Sequence, residues 1–228
     1  MKKIALTFTA LSLIVFVSCG GGDKKADKKK EETKGEAVNA KDAPGAAAES
    51  CTYSYDTSGT STTIKWIAYK FTSKTPVEGK FEKVVISQTH PGPSPVDVLQ
   101  GAEFHVIVGS LQTGDEAKNK NIIDGFFANT TSQSAVDIWG TVTEITETSV
   151  TINLNFIVEK EITLECKWEG EKVTATGTIS LEEFEGMSAI EKLNKQCKKN
   201  HTGEDGVTKV WPEVTLMVET TLKKECAE

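Results

Sequence analysis

The sequence predicts an all-β domain of eight antiparallel strands with one or two short helices, over residues 51–228. Two observations predict it. Apolar and polar residues alternate with period two through most of this region, as in half-buried strands, and short connections rich in Gly, Glu or Thr separate the alternating runs. An even number of such strands can close into a barrel with the apolar face inside, and an open two-sheet sandwich shares the same pattern.

The strand pattern is clearest in the second half of the domain. There each run places apolar side chains on one face and a Thr-rich polar set on the other, at residues 150–158, 162–168, 173–181 and 214–222. Earlier runs predict four more strands, at residues 62–71, 80–87, 102–111 and 135–144.

Two segments interrupt the alternation and predict helices. The first runs from Asp115 to Asp124 and ends at Gly125. The second begins at Ser188, which is expected to form a capping box with Glu191. Its apolar face is formed by Ile190, Leu193 and Cys197.

The first fifty residues predict export and lipidation. Residues 1–18 combine two lysines with a short apolar run, the pattern of a secretory signal peptide, and a small residue precedes Cys19, as a lipoprotein signal peptidase requires. Cys19 would then carry the lipid, and residues 19–50 are expected to be a disordered tether. An ordinary signal peptide cleaved elsewhere is the alternative. The expected location is the bacterial cell envelope, lipid-anchored and facing the periplasm or the cell surface.

Charge and composition exclude several partner classes. The chain carries a net charge of −7, and residues 19–50 contain equal numbers of lysines and acids. Subtracting the two lysines of the signal peptide therefore leaves −7 − 2 = −9 for the domain. An acidic domain argues against nucleic acid or anionic lipid head groups as the main partner. Because the sequence contains no arginine, any anion would have to be bound by lysine or backbone amides.

The four cysteines of the domain predict two disulfides in an oxidising compartment. In an up-and-down barrel the first and last strands are neighbours, which favours a bond between Cys51 and Cys226. Cys166 and Cys197 both lie on predicted apolar faces, and we expect them to form the second bond. A zinc site is the alternative, but no Cys-x-x-Cys or His-x₃-His spacing supports it, so we expect no metal.

No catalytic constellation is visible in the sequence. His90, His105 and His201 are far apart and near no nucleophile or paired-carboxylate motif, so each is expected to be solvent-facing or locally bonded. The acidic cluster at residues 182–185 fits the approach to a helix better than a cation site. We therefore expect a protein that is not an enzyme and needs no cofactor.

Short motifs occur along the domain in a characteristic order, at residues 64–71, 77–81, 120–127, 174–187 and 211–214. In that order they resemble the YceI-like family of exported, lipocalin-like β-barrels, over residues 53–222. The resemblance implies an eight-stranded antiparallel barrel that holds a long apolar ligand, such as a polyisoprenoid or a quinone-type chain.

The chain departs from that family pattern in two places. Family members carry basic residues, including arginine, where this chain has Asn119, Lys120, Glu182 and Glu183. A neutral head group, as in a quinone or a fatty amide, therefore fits as well as a pyrophosphate. The insertion around Cys197 and His201 exceeds the family pattern and is a candidate cap over the cavity.

The expected function is that of a membrane-anchored envelope lipoprotein that binds a polyisoprenoid, an isoprenoid quinone or a similar lipid inside its barrel. The expected apolar lining is Phe81, Phe104, Phe126, Phe127, Leu154, Phe156, Leu164 and Val218, and the weaker candidates for a head-group contact are Lys70, Lys74 and Lys120. The alternative is a non-catalytic structural or interaction module whose barrel is filled by its own side chains. The oligomeric state, including a homodimer, is left open.

Overall fold

The computed structural model describes residues 50–58, 61–130 and 137–227, so the predicted signal peptide, Cys19 and the predicted tether lie outside the described residues. The described strands are β1 (Cys51–Tyr55), β2 (Thr62–Lys70), β3 (Thr75–Phe81), β4 (Val84–Ser87), β5 (Glu103–Val106), β6 (Leu111–Gln112), β7 (Ile138–Ile145), β8 (Ser149–Asn155), β9 (Glu159–Glu169), β10 (Lys172–Ser180) and β11 (Val210–Cys226). The helices are α1 (Pro95–Leu99), α2 (Glu116–Gly125), α3 (Met187–Gln196) and α4 (Lys198–His201).

One antiparallel sheet contains these strands, in the order β4-β5-β7-β8-β9-β10-β11-β2-β3-β6, and β1 pairs with β11. β3 and β4 are two halves of one bent strand, and so are β5 and β6. The two bent strands stay hydrogen-bonded to each other at their breaks: Glu82 N donates to Ser110 O (3.2 Å), and Ile107 N donates to Lys83 O (3.0 Å). The bent strand β3–β4 therefore joins the two ends of the sheet and closes it into a barrel of eight strands.

The predicted fold class is confirmed, and each of the eight predicted strands overlaps a different strand of the barrel. β1 and residues 75–79 of β3 were not predicted as strands. The predicted strand 80–87 straddles the break between β3 and β4, and the predicted strand 135–144 corresponds to β7, which begins at Ile138. Because the sheet closes on itself, the open sandwich is excluded. Apolar side chains at alternate positions point into the barrel, where period-two patterning had placed them.

The two predicted helices are present, and one of their predicted starts is wrong. α2 begins as expected, with Asp115 Oδ1 accepting a hydrogen bond from Lys118 N at 3.0 Å. α3 begins one residue before Ser188, with Gly186 as its N-cap and no side-chain cap. Ser188 therefore lies inside the first turn, where its hydroxyl cannot form the predicted capping box with Glu191.

Helix α1 was not expected from the sequence. Ser94 caps it, with Oγ accepting from Asp97 N (3.3 Å) while Asp97 Oδ2 accepts from Ser94 N (3.2 Å). Pro95 occupies the first helical position, where its missing N–H costs nothing. Val98 and Leu99 are buried by this helix at one end of the barrel.

The first predicted disulfide is present. β1 pairs with the last residues of β11, beyond the barrel proper, and this pairing places Cys51 opposite Cys226. The two residues form a disulfide that joins positions 175 residues apart.

The second predicted disulfide is wrong, because Cys166 and Cys197 are free and buried. Strand register places Cys166 level with Val218 and Ile64. Cys197 lies one helical turn before His201, which is linked through Lys209 to the backbone of Phe71. Residues 64 and 71 are about 20 Å apart along a strand, far more than the Cα separation of about 7 Å that a disulfide tolerates.

Candidate ligand cavity in the barrel

The barrel encloses a cavity of about 530 Å³ whose wall is mostly apolar. Its volume lies within the range of about 300–1,000 Å³ that is common for small-molecule sites. Well-packed interiors leave few voids larger than a water molecule. The barrel is therefore not filled by its own side chains.

All eight side chains expected to form the apolar lining lie on the wall of this cavity: Phe81, Phe104, Phe126, Phe127, Leu154, Phe156, Leu164 and Val218. They come from strands on every side of the barrel and from the segment that follows α2. Their position results from the period-two pattern, since inward-facing residues of a closed sheet converge on one axis.

Glycines make room for the largest side chains of the wall. Gly79 faces Trp66 across β2 and β3, and a Cβ atom at residue 79 would lie 2.2 Å from the indole ring. Gly140 faces Phe104 in the same way, and its Cβ would also lie 2.2 Å from the ring. Each aromatic ring thus covers the backbone of the opposite strand, which keeps the centre of the barrel open.

An aromatic cluster crosses the barrel below α2. The ring of Phe127 lies 6.1 Å from the ring of Phe81 and 6.0 Å from that of Phe156, with edge-to-face geometry in both pairs. Phe126 lies 5.1 Å from Phe127, and Phe184 lies 6.2 Å from Phe156. These spacings are those of favourable aromatic contacts, and Phe81, Phe126, Phe127 and Phe156 of this cluster line the cavity.

One end of the cavity is sealed by a chain of buried hydroxyl groups. Thr62 Oγ1 lies 3.1 Å from Thr220 Oγ1 and 3.0 Å from the hydroxyl of Tyr55. Thr62 and Thr220 are only 4% and 5% exposed, although both line the cavity. We call this end, with β1, α1 and the disulfide, the closed end.

The other end of the cavity opens to solvent between α2 and α4. The exposed residues of the cavity wall all lie there: Asp115, Ala117, Lys118 and Asn200. Gln196 Nε2 donates to Asn121 Oδ1 at 3.2 Å and links α3 to α2 across this opening. We call this end, with α2, α3 and α4, the open end.

Two polar groups from different elements meet at the open end. The ammonium group of Lys70 lies 4.6 Å from the centre of the Phe71 ring and donates to Asn200 O at 3.4 Å. His201 is half-buried, and its Nδ1 lies 3.0 Å from Asn194 Oδ1, so the imidazole is locally bonded, as expected. Burial, and secondarily the charge of Lys70, lower the pKa of His201 below its ordinary value. Both residues line the cavity and could contact a polar head.

The other two candidates for a head-group contact form ion pairs outside the cavity lining. Lys74 pairs with Glu213 at 3.1 Å, and its ammonium group lies over the ring of Trp211. Lys120 pairs with Asp124 one turn further along α2, with Nζ and Oδ2 2.5 Å apart. Neither is among the residues that line the cavity, and a contact of Lys74 or Lys120 with a ligand head group stays a prediction.

Several residues that line the cavity were not predicted from the sequence. Trp66 could have been recognised, because it shares the inward face of β2 with Ile64 and Ala68. No sequence pattern marks Lys118 or His201 as cavity residues, because they reach the cavity only through the packing of α2 and α4 at the open end.

The two free thiols also belong to the wall of the cavity. Burial raises the pKa of the Cys166 thiol to about 11 and raises the pKa of Cys197 as well. Both are therefore almost entirely protonated near neutral pH, which makes them poor nucleophiles. Among the described residues no group of three or more His, Cys, Asp or Glu side chains could hold a metal ion.

Comparison with known families adds to this geometry. The model of the YceI-like domain matches residues 53–222, which is most of the chain. The chain belongs to the YceI-like family. This YceI-like domain begins two residues after Cys51 and ends with Leu222, so it spans the whole barrel. No curated protein matches the chain significantly.

Solved structures similar to this YceI-like chain have low sequence identity to it. A polyisoprenoid binding domain from Saccharophagus degradans is 13% identical, with a TM-score of 0.49, over 78% of this chain and 99% of that domain. BcnA of Burkholderia cenocepacia is 17% identical, with a TM-score of 0.46, over 75% of this chain and 99% of BcnA. The YCEI protein of Campylobacter jejuni is 14% identical, with a TM-score of 0.43, over 68% of this chain and 86% of that protein.

Proposed function

We propose that this chain binds one long apolar molecule, such as a polyisoprenoid, an isoprenoid quinone or a similar lipid, inside its barrel, without catalysis. One observation carries the proposal: a cavity of about 530 Å³ with an apolar wall runs from the sealed hydroxyl chain to a polar opening. Membership in the YceI-like family supports it, because the family resemblance implies a ligand of this class.

Burial of the ligand supplies the driving force for binding. Apolar surface removed from water contributes about 25 cal/mol per Å², so each 100 Å² of chain buried contributes about 2.5 kcal/mol before ordering costs. The tail would lie toward Thr62 and Thr220, because both hydroxyls are already paired there and need no partner from the ligand. A polar head would lie at the open end, near Lys70 and His201.

The direct test is organic extraction and mass spectrometry of the full-length protein purified from a bacterial host. We expect one isoprenoid, quinone or fatty chain per protein molecule. A protein free of lipid, whose melting temperature does not respond to added quinones or polyisoprenoids, would contradict the proposal.

A pair of variants on one strand separates loss of ligand from loss of fold. Ala175 lines the cavity, and the next residue, Thr176, points to the outer face of β10. Ala175→Phe fills part of the cavity and should abolish co-purification of lipid, whereas Thr176→Phe should leave it unchanged. Circular dichroism melts of both variants identify any that fail to fold. Equal lipid content in two folded variants would contradict binding in the barrel.

We propose further that Cys19 carries a lipid that anchors the protein in the bacterial envelope. The residues around Cys19 support this proposal, since a small residue before the cysteine and a short apolar run match a lipoprotein signal. Cys19→Ala should move the protein from the membrane fraction to the soluble fraction or leave the signal peptide uncleaved. Intact mass measurement of the wild-type protein should show the lipid. An unmodified wild-type cysteine would contradict the anchor and leave the cavity proposal untouched.

A further inference from the structure

The outer surface of α3 and α4 carries a group of lysines that we call the lysine face: Lys192, Lys195, Lys198 and Lys199. All four are exposed. Between Met187 and His201 the only acidic residue is Glu191, which gives 4 − 1 = +3 with histidine neutral. Extending the segment to Val207 adds Glu204 and Asp205 and gives 4 − 3 = +1. Residues 51–228 as a whole carry about −9, which argues against an anionic surface as a partner of the whole domain, and the lysine face is the local exception.

Glu191 lies beside the lysine face on α3, yet it forms no ion pair with these lysines in the described part of the chain. None of the four ammonium groups of the lysine face forms an ion pair there, whereas Lys65, Lys74 and Lys172 each lie within 3.1 Å of a glutamate. Four unpaired lysines on two short consecutive helices repel one another and attract any anionic surface that approaches. The lysine face is thus electrostatically complementary to a negatively charged partner.

The position of the lysine face links it to the opening of the cavity. The opposite side of the same two helices lines the cavity, through Ile190, Leu193, Cys197, Asn200 and His201. Two apolar side chains at the ends of this segment are exposed: Met187 at the start of α3 is 38% exposed, and Val207, in the turn between α4 and β11, is 44% exposed. Lysines mixed with exposed apolar side chains at the mouth of an apolar cavity match a lipid interface better than an acidic protein surface.

We infer that the lysine face docks the open end of the barrel against an anionic lipid surface. The lysines would contact the phosphate head groups, and Val207 and Met187 would enter the head-group region. The cavity would then open toward the bilayer, so that an apolar ligand could pass between membrane and barrel with little exposure to water.

A lipid on Cys19 would not produce this orientation by itself. The chain enters the domain at Cys51, at the closed end, so an anchor there holds the end of the barrel that has no opening. Between Cys19 and Cys51 an extended chain reaches about 100 Å at most, and the seventeen residues of β11 span about 55 Å. The open end can therefore reach the membrane surface. The lysine face supplies the electrostatic attraction that orients the open end toward that surface.

The test is lysine acetylation footprinting of the full-length protein, read by mass spectrometry. The protein is mixed with phosphatidylcholine vesicles that contain or lack phosphatidylglycerol. We expect the lysine face to be protected from acetylation only with phosphatidylglycerol and only at low salt. Lys167 and Lys224, near the closed end, should stay equally reactive in both cases and serve as internal references. Equal protection of the lysine face by neutral vesicles, or no protection, would overturn the inference.

A matched pair of variants tests whether charge at this position is the cause. Each lysine near an anionic membrane strengthens attraction about five-fold, so Lys198→Gln with Lys199→Gln should weaken docking about 25-fold and expose Lys192 and Lys195 to acetylation. Lys167→Gln with Lys224→Gln removes the same charge elsewhere and should change nothing. Undiminished protection in the first variant would overturn the inference. Protection by polyglutamate but not by phosphatidylglycerol would overturn it in favour of an acidic protein partner.

The inference does not depend on the ligand proposal. The vesicles contain no isoprenoid or quinone, and the readout is the reactivity of surface lysines. Failure of lipid to co-purify would therefore leave docking intact, and failure to dock would leave the contents of the cavity unaffected.

Discussion

The two ends of the barrel are stabilised in different ways. The closed end combines a disulfide with a buried hydroxyl chain, and its polar groups bond to one another. The open end depends on exposed side chains and on two non-glycine residues with left-handed backbone, Phe71 (φ 62°) and Lys74 (φ 53°). Such backbone costs about 1–2 kcal/mol per residue and persists only where the surroundings hold it. The difference predicts that the closed end contributes more to the stability of the barrel than the open end does.

The largest expected effect comes from removing the covalent link of the closed end. Cys51→Ala with Cys226→Ala opens a loop of 175 residues, and the chain-entropy relation gives about 5 kcal/mol of lost stability. Urea unfolding monitored by tryptophan fluorescence measures this loss. Reductant should destabilise the wild-type protein and a Cys166→Ser, Cys197→Ser variant alike, but not the Cys51→Ala, Cys226→Ala variant. A wild-type protein insensitive to reductant would contradict the disulfide as a source of stability.

The hydroxyl chain should have the next largest effect. Thr62→Val removes the central hydroxyl and leaves Thr220 Oγ1 buried without a partner, so we expect a loss of about 1–3 kcal/mol. Adding Thr220→Val should cost little more, because its hydroxyl has already lost its bond. Thr163→Val on the outer face, where Thr163 pairs with Thr151 near solvent, is the control and should change stability by about 0.5 kcal/mol at most. Additive losses in the double variant would argue against a single coupled chain.

Glu219 should give a smaller effect that depends on pH. Hydrogen bonds first from Lys172 and then from Lys65 lower the pKa of this carboxyl to about 2, from an ordinary value of 4.5. A lowered pKa in the folded state means that the contribution is complete above pH 4.5 and is lost as the pH falls toward 2. Because both lysines are about half exposed, solvent screens each pair and its contribution to stability is small.

The measurement is the free energy of unfolding of wild type and Glu219→Gln as a function of pH. The two curves should differ at pH 7 and converge only as the pH falls from 4.5 toward 2. Glu165→Gln, an exposed position on β9, is the matched control. A constant difference between wild type and Glu219→Gln across this range would contradict the assigned role of the ion pairs.

Period-two alternation was sufficient to predict the strands and their inward faces, because it is a local property of the chain. It did not distinguish a closed barrel from an open sandwich, and the family resemblance favoured the barrel. The break between β3 and β4 was not predictable, since it arises where a closed sheet must bend. Helix α1 had a visible signal, Ser94 three residues before Asp97, which the surrounding prolines obscured. Which polar residues reach the cavity depends on how the helices pack, and the sequence pattern does not give this. Lys120 pairs along α2 with Asp124, whereas Lys118 and His201 line the opening. The pairing of Cys166 with Cys197 failed because a shared apolar face carries no information about distance along the barrel axis.

The smallest expected effect is a loss of amide exchange protection at the open end as the pH falls, which the closed end should not show. Burial, and then the charge of Lys70, lower the pKa of His201 below its ordinary value of 6.5. The folded open end therefore disfavours the proton, so its stability is complete above pH 6.5 and declines as the pH falls below that value. Amide exchange protection of residues 197–209 should decrease between pH 7.5 and pH 5, while protection of β1 and the end of β11 stays constant.

Two variants complete this comparison. His201→Gln cannot take up the proton, so its open end should show the same protection at both pH values. His90→Gln, at an exposed position, should behave as the wild type. A decrease in protection that persists in His201→Gln would mean that another group at the open end controls it. A decrease of equal size at the closed end would mean that the two ends unfold together, and the comparison between them would fail.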